Sequence, residues 1–148
     1  RFMQEIVITI DKDILEEYYL DYFKRFPRRR VRKIKSPIHP SLNEWVIMNR
    51  HGANSIKQNW KDFGIWVVKK YGFENLNIMK CDLIVTYYFS TRRIIALDNL
   101  SPKFLLDAFV EANLLHGDDY SVVESILLRG FYSKGVSKTV MMFRYEEE

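Results

Sequence analysis

The chain has 148 residues, a formal net charge of +4, and 47% apolar against 28% charged residues, which suits a single domain large enough to bury a core without metal or disulfide staples. Its one cysteine, Cys81, excludes an internal disulfide framework and fits a reducing cytoplasm. No apolar run approaches membrane-spanning length, so a soluble protein with no targeting segment and no membrane partner is expected.

In chain order, residues 5–10 read as a strand, and Asp11 is placed to cap a helix that turns Ile14, Tyr18 and Tyr22 inward and Glu16, Glu17 and Asp21 outward until Pro27 closes it. Lys24, Arg25, Arg28, Arg29, Arg30, Arg32, Lys33 and Lys35 follow with no acid among them, a density suited to phosphate backbones. A solvated loop or a guarded edge strand would use the same residues. Residues 53–71 form the clearest helix, with Ile56, Trp60, Phe63, Val67 and Tyr71 on one stripe and Gly72 as its stop. Trp60, Phe63 and Trp66 lie on or beside that stripe, so they are expected to pack the core and not to stack on bases. Residues 78–89 alternate as a half-buried strand whose inward face includes Cys81, predicting a structural thiol. Ser101 reads as the N-cap of a short helix with Pro102 first in it. Phe104, Leu105, Ala108, Phe109 and Ala112 repeat at helical spacing before Asn113, a candidate left-handed stop. Residues 122–131 and 139–145 are expected to form a hairpin through Ser133-Lys134-Gly135, leaving 146–148 as a frayed tail. The sum is an α+β domain with one mixed sheet packed by helices.

The chemistry-bearing residues gather around the short helix. Asp98 and Asn99 precede it, Lys103 opens it, Asp107 lies one turn on, and Asp118-Asp119 follow. About twelve helical residues rise roughly 18 Å, and six extended residues can cover roughly 20 Å, so the return loop can bring Asp118 and Asp119 back beside Asp98. The helix dipole disfavours a cation at the position of Lys103, which an anionic neighbour or ligand would explain. On the residues alone the alternative stays open that Asp98 and Asn99 cap a turn, Lys103 is solvated and Asp118-Asp119 is a turn. Asp107 is expected to pair with Lys103 as a structural contact. His116 lies near Asp118 as a weak ligand candidate, whereas His39 and His51 lack partners at metal-ligand spacing.

The segment from Asp98 to Val123 resembles the core of RusA-like Holliday-junction resolvases, whose signature is an Asp-x-Asp-Asn, a lysine a turn later, a helix-centre Asp and a closing Asp-Asp before a strand. Asp98-Asn99, Lys103, Asp107-Ala108-Phe109 and Asp118-Asp119 occupy those places in order, and Pro40-Ser41-Leu42-Asn43 is similar to the family's Pro-Ser-x-Asn loop. The similarity spans roughly residues 36–145. It implies an RusA-like domain over 28–148, with a strand–helix–strand–helix–strand–strand core that begins with a strand at 28–35, and a strand–helix extension over 1–27. It further implies a Mg²⁺-dependent endonuclease that resolves branched or double-stranded DNA as a homodimer. Asp98, Asp119 and Lys103 would be catalytic, and Asp98, Asp118 and Asp119 would hold the metal, which activates water and steadies the scissile oxygens. Arg28, Arg29, Arg30, Arg32, Lys33, Trp45, Arg50, Arg92 and Arg93 would contact DNA. One position departs from the pattern: Ala96 stands where the family carries its first acid, and no Asp or Glu occurs from Leu83 to Leu97 to replace it. Impaired activity is therefore expected, with a catalytically inactive DNA-binding or phage interaction protein as the alternative.

Overall fold

A computed structural model describes residues 2–147. Four strands, β1 (Phe2–Ile10), β2 (Cys81–Phe89), β3 (Val123–Tyr132) and β4 (Lys138–Glu147), form one mixed sheet in the order β1-β4-β2-β3. The helices are α1 (Lys12–Arg25), α2 (Leu42–Ile47), α3 (Arg50–Tyr71) and α4 (Lys103–Glu111), with a 3₁₀ turn at Leu97–Asn99. This is the expected α+β domain with a mixed sheet.

Local chemistry sets the helix ends. Asp11 accepts from the Ile14 N–H at 2.9 Å to start α1, and Asn49 accepts from Gly52 at 2.8 Å to start α3. Gly72 ends α3 with φ 73°, and its N–H closes on the Lys69 and Val68 carbonyls. The start of α4 lies one residue later than the sequence pattern: Pro102 is the cap position, and Ser101 Oγ accepts from the Lys103 N–H at 3.2 Å. Asn113 adopts φ 62°, the left-handed stop expected there.

The core lies between the sheet and the helices. Phe63 and Val67 from α3, Leu105 and Phe109 from α4, Leu83, Val85 and Tyr87 from β2, and Met141 and Phe143 from β4 are all fully buried. Gly64 lets α3 and α4 approach, because a Cβ there would come within 2.6 Å of the Ala108 Cβ. Cys81 is buried as a structural thiol, and burial pushes it up to about 11.

Three expectations about connectivity are corrected. Residues 1–27 do not form a layer outside the main fold: β1 pairs antiparallel with β4 along its whole length, and Ile8, Ile10, Tyr18 and Tyr19 enter the common core. Residues 28–35 form no strand. Only Val31 and Ile34 are apolar there, adjacent cations repel, and β1 already occupies the free edge of β4. The segment is instead pinned over α1, where the Ile34 N–H donates to the Tyr19 hydroxyl at 2.8 Å. Nor do β3 and β4 form a hairpin, because β2 lies between them, parallel to β3 and antiparallel to β4. The turn residues are real, with Gly135 at φ 72°, but the loop crosses two strand spacings, roughly 10 Å. Ser133 N–H donates to the Phe89 carbonyl at 2.9 Å, which stitches the crossing to the end of β2.

Candidate nucleic-acid and metal site

Two segments more than fifty residues apart in sequence are locked together at the mouth of the sheet. Ser41 caps α2 by accepting from the Glu44 N–H at 3.0 Å, and its backbone makes an antiparallel bridge to Leu100. The Asn43 N–H donates to Asn99 Oδ1 at 3.0 Å. The Pro-Ser-x-Asn loop thus grips the Asp98-Asn99 turn. On its other side Leu97 rests on Gly130 of β3, where an added Cβ would come within 2.7 Å of Leu97 Cδ2. A cleft of about 240 Å³ opens between the loop and this segment, bounded by His39, Glu44, Arg93, Ala96 and Asn99.

Asp98 is exposed on the 3₁₀ turn, and among the described residues no hydrogen bond or ion pair joins it to Asp118 or Asp119. The carboxylates that meet are Asp107 and Asp118, within hydrogen-bonding reach of each other, a contact that requires one of them to carry a proton. The Asp107 side chain is only 20% exposed, and Lys103 Nζ lies 3.7 Å away. Burial holds the Asp107 carboxyl above its ordinary range, the Asp118 neighbour adds to this, and Lys103 and Lys57 partly oppose it. Asp119 turns the other way. Its carboxylate accepts from the Ser121 hydroxyl and, at 2.8 Å, from the Ser121 N–H, and these bonds hold it below the usual carboxylate range with His116 contributing.

Among the described residues, no three His, Cys, Asp or Glu side chains converge as metal donors. The donor set nonetheless fits a divalent cation at one point. A proton shared by Asp107 and Asp118 stands where a cation would neutralise both, and Mg²⁺ commonly uses one or two carboxylates with water completing its shell. The lysines Lys103 and Lys57 sit on the same rim.

The expected DNA-contacting residues divide into free and engaged groups. Arg28, Arg30, Lys33 and Arg50 are exposed with no side-chain partner. Arg29 donates to the Tyr22 hydroxyl at 2.6 Å and covers the Phe26 ring at 5.0 Å. Arg32 makes a two-pronged bond to Glu16, one arm at 2.8 Å, and lies over Tyr19, so it anchors the basic loop to α1. Arg92 lies over Tyr132 at 4.4 Å, and Arg93 is free at the cleft. Trp45 differs from expectation: it packs edge-on against Phe104 with a buried, unpaired Nε1, so its ring serves the loop's attachment and presents no open stacking face.

Two residues of the site carry little sequence signal. Asp107 reads as half of an i,i+4 pair with Lys103, and that pair exists, but its partnership with Asp118 depends on how the return loop closes. His39 reads as a loop histidine without metal partners, yet it is buried with both ring nitrogens unpaired. The chain matches no protein-family model and no curated protein sequence.

Proposed function

We propose that this protein is an RusA-like, Mg²⁺-dependent, structure-selective endonuclease acting on branched DNA, with metal affinity reduced by Ala96. The observation that carries the reading is the clasp between the Pro-Ser-x-Asn loop and Asp98-Asn99 through Asn43, because it unites two motifs of the resemblance that lie far apart in sequence. In this reading Mg²⁺ supplies an activated water and holds the scissile phosphate oxygens. Asp118 and Asp107 are its best-placed holders, and Asp98 and Asp119 face the same task from the 3₁₀ turn and the return loop. Lys103 offsets charge developing on the phosphate. Arg28, Arg30, Lys33, Arg50 and Arg93 bind the DNA backbone, while Arg29, Arg32 and Arg92 hold the basic surface in place by their aromatic contacts.

The same reading takes the protein to be a homodimer of the reducing cytoplasm. The outer edge of β3 is unpaired, and Ile126, Leu127, Phe131 and Tyr132 are exposed along it, a surface that a second copy would cover. No helix among the described residues is long and apolar enough to cross a membrane. A four-way junction incubated with and without Mg²⁺ tests the proposal, and metal-dependent paired nicks are the expected result.

One observation favours a second reading. Ala96 is exposed on the wall of the cleft, where it offers no donor, which suits a member that binds branched DNA without cutting it. Salt-dependent junction binding with no cleavage at any Mg²⁺ concentration would establish that reading instead.

A further inference from the structure

We propose that the cleft between the Pro-Ser-x-Asn loop and residues 93–100 is a pocket for a single nucleobase extruded from the DNA, read by the edge of the His39 imidazole. The inference rests on the DNA reading above and adds the substrate element that the site recognises. Its core observation is His39, 2% exposed, bordering the cleft, with neither Nδ1 nor Nε2 bonded to any protein group. Buried polar atoms in folded proteins are nearly always paired, so an orphaned ring at the floor of an open cleft marks an absent partner. The adjacent Tyr87 hydroxyl is orphaned too, with its ring edge-on to His39 at 5.8 Å.

The chemistry of the floor selects the kind of partner. Burial pushes the imidazole down to about 3, so the ring is neutral and presents one N–H donor and one nitrogen acceptor. That edge matches the paired donor and acceptor of a nucleobase and does not suit a phosphate. The ring cannot swing aside, because Trp60 stacks on it at 5.0 Å with an 18° interplanar angle. Ile38, Ile95 and Leu100 give the walls the apolar character that a base face requires. Asn99 spends its oxygen on Asn43 and keeps its amide NH₂ free, and Glu44 can accept from an exocyclic amine. Arg93, exposed and unpaired at the rim, is placed for the phosphate attached to the base. The volume of about 240 Å³ falls below the roughly 300–1,000 Å³ of pockets for drug-sized ligands, which fits one base and excludes a stacked pair. Extrusion costs least where pairing is already interrupted, so a branch point supplies the substrate most cheaply.

The test uses the full chain with labelled histidine, titrated separately with dAMP, dCMP, dGMP and dTMP and with deoxyribose 5-phosphate. At least one mononucleotide is expected to shift the His39 ring resonances saturably, and the sugar phosphate is expected to leave them unchanged. His39→Phe keeps the stacking and the apolar burial, so it should melt no lower than the wild type and bind that nucleotide at least tenfold more weakly. Ala96→Leu, which fills the cleft from its exposed wall, should do the same. A four-way junction carrying 2-aminopurine at the branch should brighten on wild-type binding and brighten less with either variant. No His39 shift with any of the four nucleotides, or equal binding by His39→Phe, would mean the cleft holds water only and would overturn the inference. Junction binding without a His39 shift or brightening leaves the DNA reading standing and the pocket refuted. A nucleotide-dependent His39 shift without junction binding supports the pocket and refutes the branched-DNA reading.

Discussion

Replacing Asp118 with Asn should stabilise the fold at neutral pH and abolish its response to Mg²⁺. Two charged carboxylates about 4 Å apart at an effective dielectric near 20 repel by about 4 kcal/mol. Lys103 at 3.7 Å, Lys57 and the exposure of Asp118 reduce that to about 1 kcal/mol. Because the folded state holds the Asp107 proton more tightly than the unfolded chain does, this site favours folding at low pH. Its contribution is lost as pH rises from the ordinary carboxylate value through the raised one. An Asn at position 118 donates to a charged Asp107 and needs no proton, so its advantage should appear above that window and vanish below it. For a domain of this size, about 1 kcal/mol corresponds to a rise in Tm of about 2–4 °C. With Mg²⁺ at ten times its Kd, binding to the wild type contributes about 1.4 kcal/mol and a further rise of about 3–5 °C, which the variant should lack. Thermal melts at pH 4 and pH 7, with and without Mg²⁺, read all of these. A lower Tm for Asp118→Asn at pH 7, or an equal Mg²⁺ response in both proteins, would refute the shared-proton account.

Ala96→Asp should tighten Mg²⁺ binding roughly tenfold by adding a carboxylate at the cleft wall beside Asp98, and calorimetry plus junction cleavage would show a gain in turnover with DNA affinity unchanged. Neutralising Arg28, Arg30 and Lys33 together should lower the slope of log K against log salt by about 2.7, at about 0.9 per lost phosphate contact. Neutralising Arg29 and Arg32 should change it less, since their side chains are spent on Tyr22, Phe26, Glu16 and Tyr19. Gly130→Val would drive a side chain into Leu97 Cδ2, 2.7 Å from the first added carbon; a loss of about 1–3 kcal/mol in denaturant melts is expected, with displacement of the turn that carries Asp98.

Elements with a strong local period were legible in the sequence. The stripe of α3, the Asp11 cap, the Gly72 and Asn113 stops and the alternation of β2 each follow from contacts within a turn or two of chain, and the structure repeats them nearly residue for residue. Strand partnership was not legible, because it depends on long-range pairing. Ser133-Lys134-Gly135 carries turn chemistry that serves a tight hairpin and a wider crossing equally well, and nothing local reveals that β2 inserts between β3 and β4. The basic run misled for a related reason. An isolated reading allows a guarded edge strand, but β1 had taken the edge, and the arginines settled onto the aromatic face of α1 instead. At the site, the sequence named the acids without their pairing: the meeting of Asp107 with Asp118 is decided by the bridge of Leu115 to Ile78 and the path of the loop that follows.

The features that cost this fold stability cluster around one stretch of chain. Elsewhere the buried polar groups are paired: Thr139 donates to the Pro37 carbonyl at 2.8 Å and the Tyr19 hydroxyl accepts from Ile34. Around residues 96–118, by contrast, His39 and Tyr87 are orphaned beside the cleft, two acids press together on α4 and the return loop, and free arginines ring the rim. Selection for stability alone would remove each of these cheaply, with Phe for His39 and Asn for Asp118. Their concentration on both sides of the clasp formed by Asn43 and Asn99 is what a binding site imposes, because an unpaired donor, a shared proton and an unpaired cation are each completed by a ligand. Ala96 lies inside the same stretch but acts in the opposite sense, since losing an acid there relieves repulsion at the expense of metal affinity. A chain drifting wholly away from function would be expected to relax the other strained positions as well, so retaining them argues that this surface still binds.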